Sequence, residues 1–177
     1  MNFLAISGST RRASTNTALL DTISQLAAPA TNIAVLNILQ QLPIFSPDLE
    51  GAATQVDVRK LIDLVRQTDG IIISSPEYVH AIPGGLKNAI DWLVSGDAII
   101  DKPMVLVHAS HRGEDMLSAL RLVLGTITAN FNEQLFLSFP LVSKSPSEIG
   151  AYLRTDANTR QIRAFISDFE AYARLST

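Results

Sequence analysis

Short apolar runs alternate with amphipathic segments from one end of the 177-residue chain to the other. Apolar runs of about four to eight residues are typical of buried strands, whereas apolar residues three and four positions apart indicate helices. On this basis we predict strands at residues 3–6, 33–38, 71–74, 103–108 and 134–139. Helices are predicted to begin after each strand, at residues 15–28, 56–67, 83 or 84 to 93, 116–127 and 160–175.

The predicted strands are apolar along their length rather than at every second position. Strands of this kind are buried on both faces, which in alternation with helices indicates a parallel sheet between two helical layers. Right-handed crossovers then give a three-layer α/β fold, a doubly wound five-stranded parallel sheet. The length suits one domain, so we expect residues 1–177 to form a single unit. Such sheets bind ligands beyond the carboxyl ends of their strands, which makes the segments after strands one, three and four candidate sites.

Composition excludes several classes of function. Fourteen Lys and Arg against 17 Asp and Glu leave a net charge of −3, so no basic field exists to hold nucleic acid. Cysteine is absent, which excludes disulfides, thiolate zinc sites and a cysteine nucleophile, and the other metal-ligating residues are scattered, so we expect no metal. The first residues carry no charged leader, and their apolar run is too short for a signal or membrane segment. We therefore expect a cytoplasmic protein without a membrane partner.

The segment after strand one, residues 8–17, contains five hydroxyl residues, two arginines and an asparagine. It precedes a helix, whose unpaired N–H groups and partial positive charge favour an anion. Arg11 can offset a phosphate dianion with paired donors. The alternative is a simple N-cap by Ser14 or Thr15 beside solvated arginines. Neither a triphosphate loop of the G-x-x-x-x-G-K-[ST] type nor a G-x-G-x-x-G dinucleotide fingerprint is present, so a monophosphate such as FMN is favoured.

The segment after strand three has the sequence SPEYVHAIPGGLKNAIDW over residues 75–92. Its prolines indicate a rigid turn, and its glycines permit close approach of backbone to a ligand. Tyr78 can flank a flat ring; the alternative is that it simply packs against protein. Glu77 can also be a solvated carboxylate or order the loop. His80 can contact substrate at the mouth of the pocket, but a lone loop histidine more often faces solvent.

This segment, together with GSTRRASTN at residues 8–16, resembles the NADPH-dependent FMN reductase family, which includes chromate- and quinone-reducing members. The resemblance extends from strand one through the fourth helix and implies a flavodoxin-like fold with strand order 2-1-3-4-5. It assigns contacts with the FMN phosphate to Ser9, Arg11, Ser14, Asn16 and Thr17. It assigns contacts with the ribityl chain and ring to Pro76, Glu77, Tyr78 and Val79. Many members have Asn and Ser where this chain has Val79 and Ala81, which removes polar side chains near the flavin.

The segment after strand four is expected to hold the pyrimidine end of the flavin. Ser110, His111 and Gly113 are the candidate contacts there, with Arg112 beside them. Family members often have two glycines at this point, whereas Glu114 follows Gly113 here. A positive charge in this segment would stabilise the reduced flavin. The alternative is an ordinary acidic helix start, which fully accounts for Glu114 and Asp115.

The resemblance implies an oxidoreductase that passes hydride from NADPH or NADH through bound FMN to a quinone, flavin or similar small-molecule acceptor. Donor and acceptor would use the same flavin face, which predicts ping-pong kinetics. Homodimers or homotetramers are also implied. The alternatives are a non-enzymatic flavodoxin-type carrier, disfavoured by Arg11 and the modest charge, and a signalling receiver. A receiver needs clustered acids after strands one and three, where this chain has serines.

Overall fold

A computed structural model describes residues 1–176 as five strands, six α-helices and three short 3₁₀ turns. The strands are β1 (Asn2–Ser7), β2 (Asn32–Leu36), β3 (Gly70–Ser74), β4 (Met104–His108) and β5 (Phe131–Ser138). The helices are α1 (Thr15–Ala27), α2 (Val56–Gln67), α3 (Gly84–Val94), α4 (Glu114–Ile127), α5 (Pro146–Leu153) and α6 (Asp156–Leu175). The 3₁₀ turns, at Leu39–Gln41, Pro47–Leu49 and Gly51–Ala53, all lie between β2 and α2.

The five strands form one sheet in the order β2-β1-β3-β4-β5, and every neighbouring pair is parallel. This confirms the predicted doubly wound sheet and its 2-1-3-4-5 order. All residues of β3 and β4 are buried, as continuous apolar runs in central strands require. Because the strands are parallel, the segments after β1, β3, β4 and β5 meet at one end of the sheet, here called the carboxyl edge.

Helices cover both faces of the sheet, each over its own apolar core. Helices α2, α3 and α4 pack on one face, around side chains such as Leu61 and Leu120. Helices α1, α5 and α6 pack on the other, around side chains such as Leu19 and Phe169. In the described part of the chain, residues 1–176, no helix is both long and apolar enough to span a membrane.

The C-terminal third differs from the sequence prediction. Strand β5 begins at Phe131 rather than at residue 134, because it lies at an edge of the sheet, where residues such as Glu133 remain exposed and break the apolar run. Helix α5 was not predicted, although Ser145 and Glu148 form a capping box at its start, a pattern visible in sequence. Helix α6 begins at Asp156, four residues before the predicted position.

Candidate functional site

A cavity of about 430 Å³ opens at the carboxyl edge. This volume lies within the range of small-molecule sites, roughly 300–1,000 Å³. The cavity is lined by residues from the segments after four strands: Arg11, Thr15, Asn16, Ser75, Pro76, Glu77, His108, Ala109, Ser110, Arg112, Gly113, Val142 and Ser143. Its position agrees with the general rule for ligands of doubly wound sheets.

One end of the cavity is the N-terminus of α1. Ser14 is the N-cap residue, and its Oγ accepts a hydrogen bond of 3.2 Å from Thr17 N. The first turn of α1 contains no acidic residue, so nothing there offsets the partial positive charge of the helix end. Arg11 lines the cavity at this end and forms no salt bridge with any carboxylate of residues 1–176. This end of the cavity can therefore hold an anion.

Several polar side chains near Arg11 form hydrogen bonds with other parts of the protein. Asn16 is buried, and its Oδ1 accepts a hydrogen bond of 2.8 Å from Ser74 Oγ at the end of β3. Thr17 Oγ1 donates to Ser7 Oγ at the end of β1, also at 2.8 Å. Ser9 is buried, and its Oγ accepts from Arg11 N. These contacts fix the start of α1 on β1 and β3, and thereby fix the direction of its N–H groups.

The segment after β3 is fastened to the first turn of α4. Glu77 Oε2 accepts a hydrogen bond of 3.0 Å from Met116 N, so this carboxylate orders the loop. The His80 ring is 2.6 Å from Asp115, measured from Nδ1 to Oδ2, with both side chains largely exposed. Between the two contacts the chain reverses direction, and Tyr78 and Ala81 exchange backbone hydrogen bonds of 3.2 and 3.1 Å.

The two residues at the tip of this reversal have left-handed backbone conformations. The φ angles are +52° at Val79 and +58° at His80. Two-residue turns with positive φ at both central positions normally carry Asn, Asp or Gly, because those residues tolerate this conformation. Val79 is β-branched, for which a positive φ is a genuine outlier. Asn, which many members of the resembled family have where this chain has Val79, is thus a residue that the turn geometry itself favours.

The other end of the cavity is formed by the segment between β4 and α4. His108 is only 4% exposed, and its Nε2 lies 2.6 Å from the carbonyl oxygen of Arg112. Arg112 N in turn donates to Ser110 Oγ at 2.9 Å. Gly113 is the N-cap of α4 with φ +102°, and a side chain there would meet the His108 ring at 3.3 Å. The left-handed conformation favours glycine at this position, and the nearby ring leaves little room for a Cβ.

The structure brings together at the cavity wall six of the residues predicted as cofactor contacts: Arg11, Asn16, Pro76, Glu77, Ser110 and Gly113. Six others do not line it: Ser9, Ser14, Thr17, Tyr78, Val79 and His111. Sequence reasoning missed the segment after β5, from which Val142 and Ser143 line the cavity. The parallel order itself was the available clue, since the end of β5 must reach the same edge as the ends of β3 and β4.

Metal-ligating residues are scattered in the sequence, but the fold brings three of them together. Within the described residues, ligand atoms of Glu77, His80 and Asp115 lie within 4.8 Å of one another. His80 is hydrogen-bonded to Asp115, and Glu77 accepts from Met116 N, so each of the three side chains already has a protein partner.

Comparison with known proteins identifies relatives of the chain. A family model described as NADPH-dependent FMN reductase matches residues 1–140. The chain is 39% identical over 112 residues to the NADH:(hydroxy)cinnamate reductase subunit CrdA of Vibrio ruber, an alignment that covers 63% of this chain and 54% of that protein. It is 33% identical over 118 residues to a quinone reductase of Escherichia coli K12, with 64% and 61% covered. The alignments thus span about half to three fifths of the length of these relatives.

Solved structures support the fold at lower sequence identity. FerB, a flavoenzyme NAD(P)H:(acceptor) oxidoreductase from Paracoccus denitrificans, superimposes with a TM-score of 0.71 at 21% identity. That match covers 97% of this chain and 98% of FerB. At this level of identity the likeness establishes the shared architecture of the two chains.

Proposed function

The chain belongs to the NADPH-dependent FMN reductase family, and we propose that it binds FMN at the carboxyl edge and transfers reducing equivalents from NADPH or NADH to a small-molecule acceptor. The observation that carries this proposal is the cavity itself. It lies between the N-termini of α1 and α4, and each of its ends has an arginine, Arg11 or Arg112, without a carboxylate partner in the described chain.

The α1 end suits the FMN phosphate. A phosphate dianion there would meet the free N–H groups of a helix start and the Arg11 guanidinium. Thr15 adds a hydroxyl to the cavity wall, and no acid of the first turn opposes the anion. The side chains of Asn16 and Thr17 contribute indirectly, because their hydrogen bonds hold the start of α1 on β3 and β1.

The α4 end suits the polar edge of the flavin ring. His108 lines the cavity there, and its Nδ1 is buried without a hydrogen-bond partner within residues 1–176. An unpaired buried polar atom costs roughly 1–3 kcal/mol, which a ligand with a matching polar edge can offset. Pro76 and the Glu77 loop form the side of the cavity between the two ends. The residues present therefore fit FMN.

FMN, when bound, accepts hydride from a reduced nicotinamide and releases electrons to an acceptor, so the protein need supply no acid–base pair. The protein's task is to hold the phosphate with Arg11 and the α1 N-terminus, and to support the ring with the loops after β3 and β4. Glu77 keeps the first of these loops against α4. If donor and acceptor dock in turn on one exposed face, steady-state kinetics will be ping-pong.

We propose a class of electron acceptor from the names of the relatives. The named relatives are a quinone reductase, a (hydroxy)cinnamate reductase subunit and an NADPH azoreductase, and each of these names indicates a conjugated organic acceptor. We therefore assign a quinone, a free flavin or a similar conjugated compound to this chain.

The test is a visible spectrum of the purified protein after addition of FMN and desalting, followed by anaerobic addition of NADPH or NADH. Retained flavin absorbance that is bleached by either nucleotide, and restored by a quinone, supports the reductase. Retained flavin that neither nucleotide bleaches favours the flavodoxin-type carrier. An Arg11→Gln variant should lose affinity for FMN but much less for riboflavin, which lacks the phosphate. Equal losses for both ligands would contradict the assignment of the α1 end.

The oligomeric state and location are further proposals. A homodimer or homotetramer is implied by the resemblance to the family and supported by large apolar side chains exposed at the surface, among them Ile44, Val56 and Leu122. We also propose a cytoplasmic location, because the proposed reaction needs NADPH or NADH, which the cytoplasm supplies. Light scattering at several concentrations will measure the assembly.

A further inference from the structure

Two helices begin at the cavity, and an arginine lies at each start, although the protein as a whole carries a net charge of −3. Helix α1 presents its N-terminus with Arg11, and helix α4, which is 14 residues long, presents its N-terminus with Arg112. One phosphate needs only one of these ends. The first turn of α4 carries Glu114 and Asp115, and Glu77 already accepts a hydrogen bond from Met116 N. The cation available to another part of the ligand at that end is therefore Arg112 rather than the helix terminus.

The backbone of Arg112 is held by hydrogen bonds at both its N–H and its carbonyl oxygen. Its N–H donates to Ser110 Oγ, and its carbonyl oxygen accepts a hydrogen bond from His108 Nε2. A carbonyl oxygen can only accept, so Nε2 of His108 carries the proton, and in the neutral ring Nδ1 is an acceptor. His108 thereby fixes the turn that directs Arg112 toward the cavity.

The unpaired Nδ1 is an independent indication that something polar belongs at this end. His108 is 4% exposed and lines the cavity, yet no donor within the described residues reaches this nitrogen. Buried polar side-chain atoms nearly always have a partner, supplied by protein, ordered water or ligand. This nitrogen and Arg112, which has no carboxylate partner within residues 1–176, both line the cavity.

We propose that Arg112, positioned by His108, makes the α4 end of the cavity bind reduced FMN more tightly than oxidised FMN and so raises the flavin's midpoint potential. The inference rests on the proposed function and deepens it. Reduction adds electron density to the pyrimidine part of the flavin, and a nearby fixed cation stabilises that form selectively. Arg11, at the phosphate end, faces a charge that does not change on reduction, so it contributes affinity without such selectivity.

The experiment measures the midpoint potential of the FMN-loaded protein, by equilibration with reference dyes, together with the dissociation constants of oxidised and reduced FMN. For Arg112→Gln we expect the preference for reduced FMN to fall about tenfold, which is about 30 mV for a two-electron couple. Arg112→Lys keeps the charge and should retain most of the potential. Arg12→Gln removes an exposed charge that follows Arg11 in sequence and does not line the cavity, and it should leave the potential unchanged.

The positioning role of His108 is tested by a double-mutant cycle. His108→Leu should lower the potential by about as much as Arg112→Gln, and the double variant should lower it no further, because both changes act through one guanidinium. His108→Gln can keep a donor near Nε2 and should restore most of the potential. Unfolding curves of each variant establish that the comparison is made on folded protein.

The outcomes separate this inference from the proposed function. Wild-type protein that fails to retain FMN overturns both. Wild-type protein that binds FMN and is reduced by a nicotinamide, with the same potential in Arg112→Gln, overturns this inference alone. Additive losses in the double variant overturn the positioning role of His108, and an equal shift in Arg12→Gln would attribute the effect to overall charge.

Discussion

Replacing Val79 by Asn is expected to make the protein more stable, which is unusual for a residue beside a ligand cavity. Val79 has φ +52° and is 93% exposed. An L-residue in the left-handed region costs about 1–2 kcal/mol, and a β-branched side chain lies at the upper end of that cost. Because the side chain is exposed, its replacement loses almost no packing. Asn tolerates the left-handed region, so we expect Val79→Asn to raise the free energy of unfolding by about 1 kcal/mol.

Two further substitutions at position 79 separate the effect of the β-branched side chain from the effect of the left-handed backbone. Val79→Ala removes the β-branch but leaves an L-residue at positive φ, so its gain should be smaller than that of Asn. Val79→Gly removes the strain entirely but makes the unfolded chain more flexible, which offsets roughly 0.5–1 kcal/mol of the gain. In a protein of this size 1 kcal/mol corresponds to about 2–4 °C in Tm.

The assay is urea unfolding of the flavin-free proteins, followed by circular dichroism, since bound FMN would add its own stabilisation. Equal slopes against urea would show that only stability has changed. A Val79→Asn protein no more stable than wild type, or no more stable than Val79→Ala, would refute the argument that backbone conformation governs this position.

Two other predictions concern residues away from the turn. Gly8→Ala should lower the free energy of unfolding by about 1–3 kcal/mol, because the new Cβ would lie 2.6 Å from Ser75 Oγ. Gly125 lies in a helix and has open space around it, so Gly125→Ala should be neutral or stabilising. Urea unfolding of the two variants measures the difference. Hydrogen bonds from Ser145 lower the pKa of Glu148, so its stabilising effect should be present at neutral pH and lost as the pH falls through that lowered pKa. Unfolding of wild type and Glu148→Gln from pH 7 down to about pH 3 should therefore converge at acid pH.

The architecture could be predicted from the sequence because the strands of a buried parallel sheet are continuous apolar runs. Central strands β3 and β4 are apolar at nearly every position, which is typical of parallel strands that helices cover. Where a strand is only partly buried, its apolar run is interrupted and its bounds are predicted less well. Strand β5 carries Asn132, Glu133 and Gln134 because an edge strand faces solvent, and the prediction therefore began it too late.

The candidate site was located by the same reasoning, but the roles of individual side chains were not. A segment rich in hydroxyls predicts a phosphate site, yet it does not say that Asn16 and Thr17 turn inward to Ser74 and Ser7. Such choices depend on which strand end lies beneath the helix, which is a property of the register between β1 and β3. Only the surrounding fold determines them.

Val79 and His108 differ in the physical consequences of a substitution. Val79 alters backbone energy at the tip of an exposed turn, so its effect belongs to stability and is independent of any ligand. His108 lies buried at the end of a central strand, where it fixes the carbonyl oxygen of Arg112 and leaves one nitrogen unpaired. A substitution at His108 must therefore act through the segment between β4 and α4, and its consequence should appear in the redox state that the cavity prefers rather than in global stability alone.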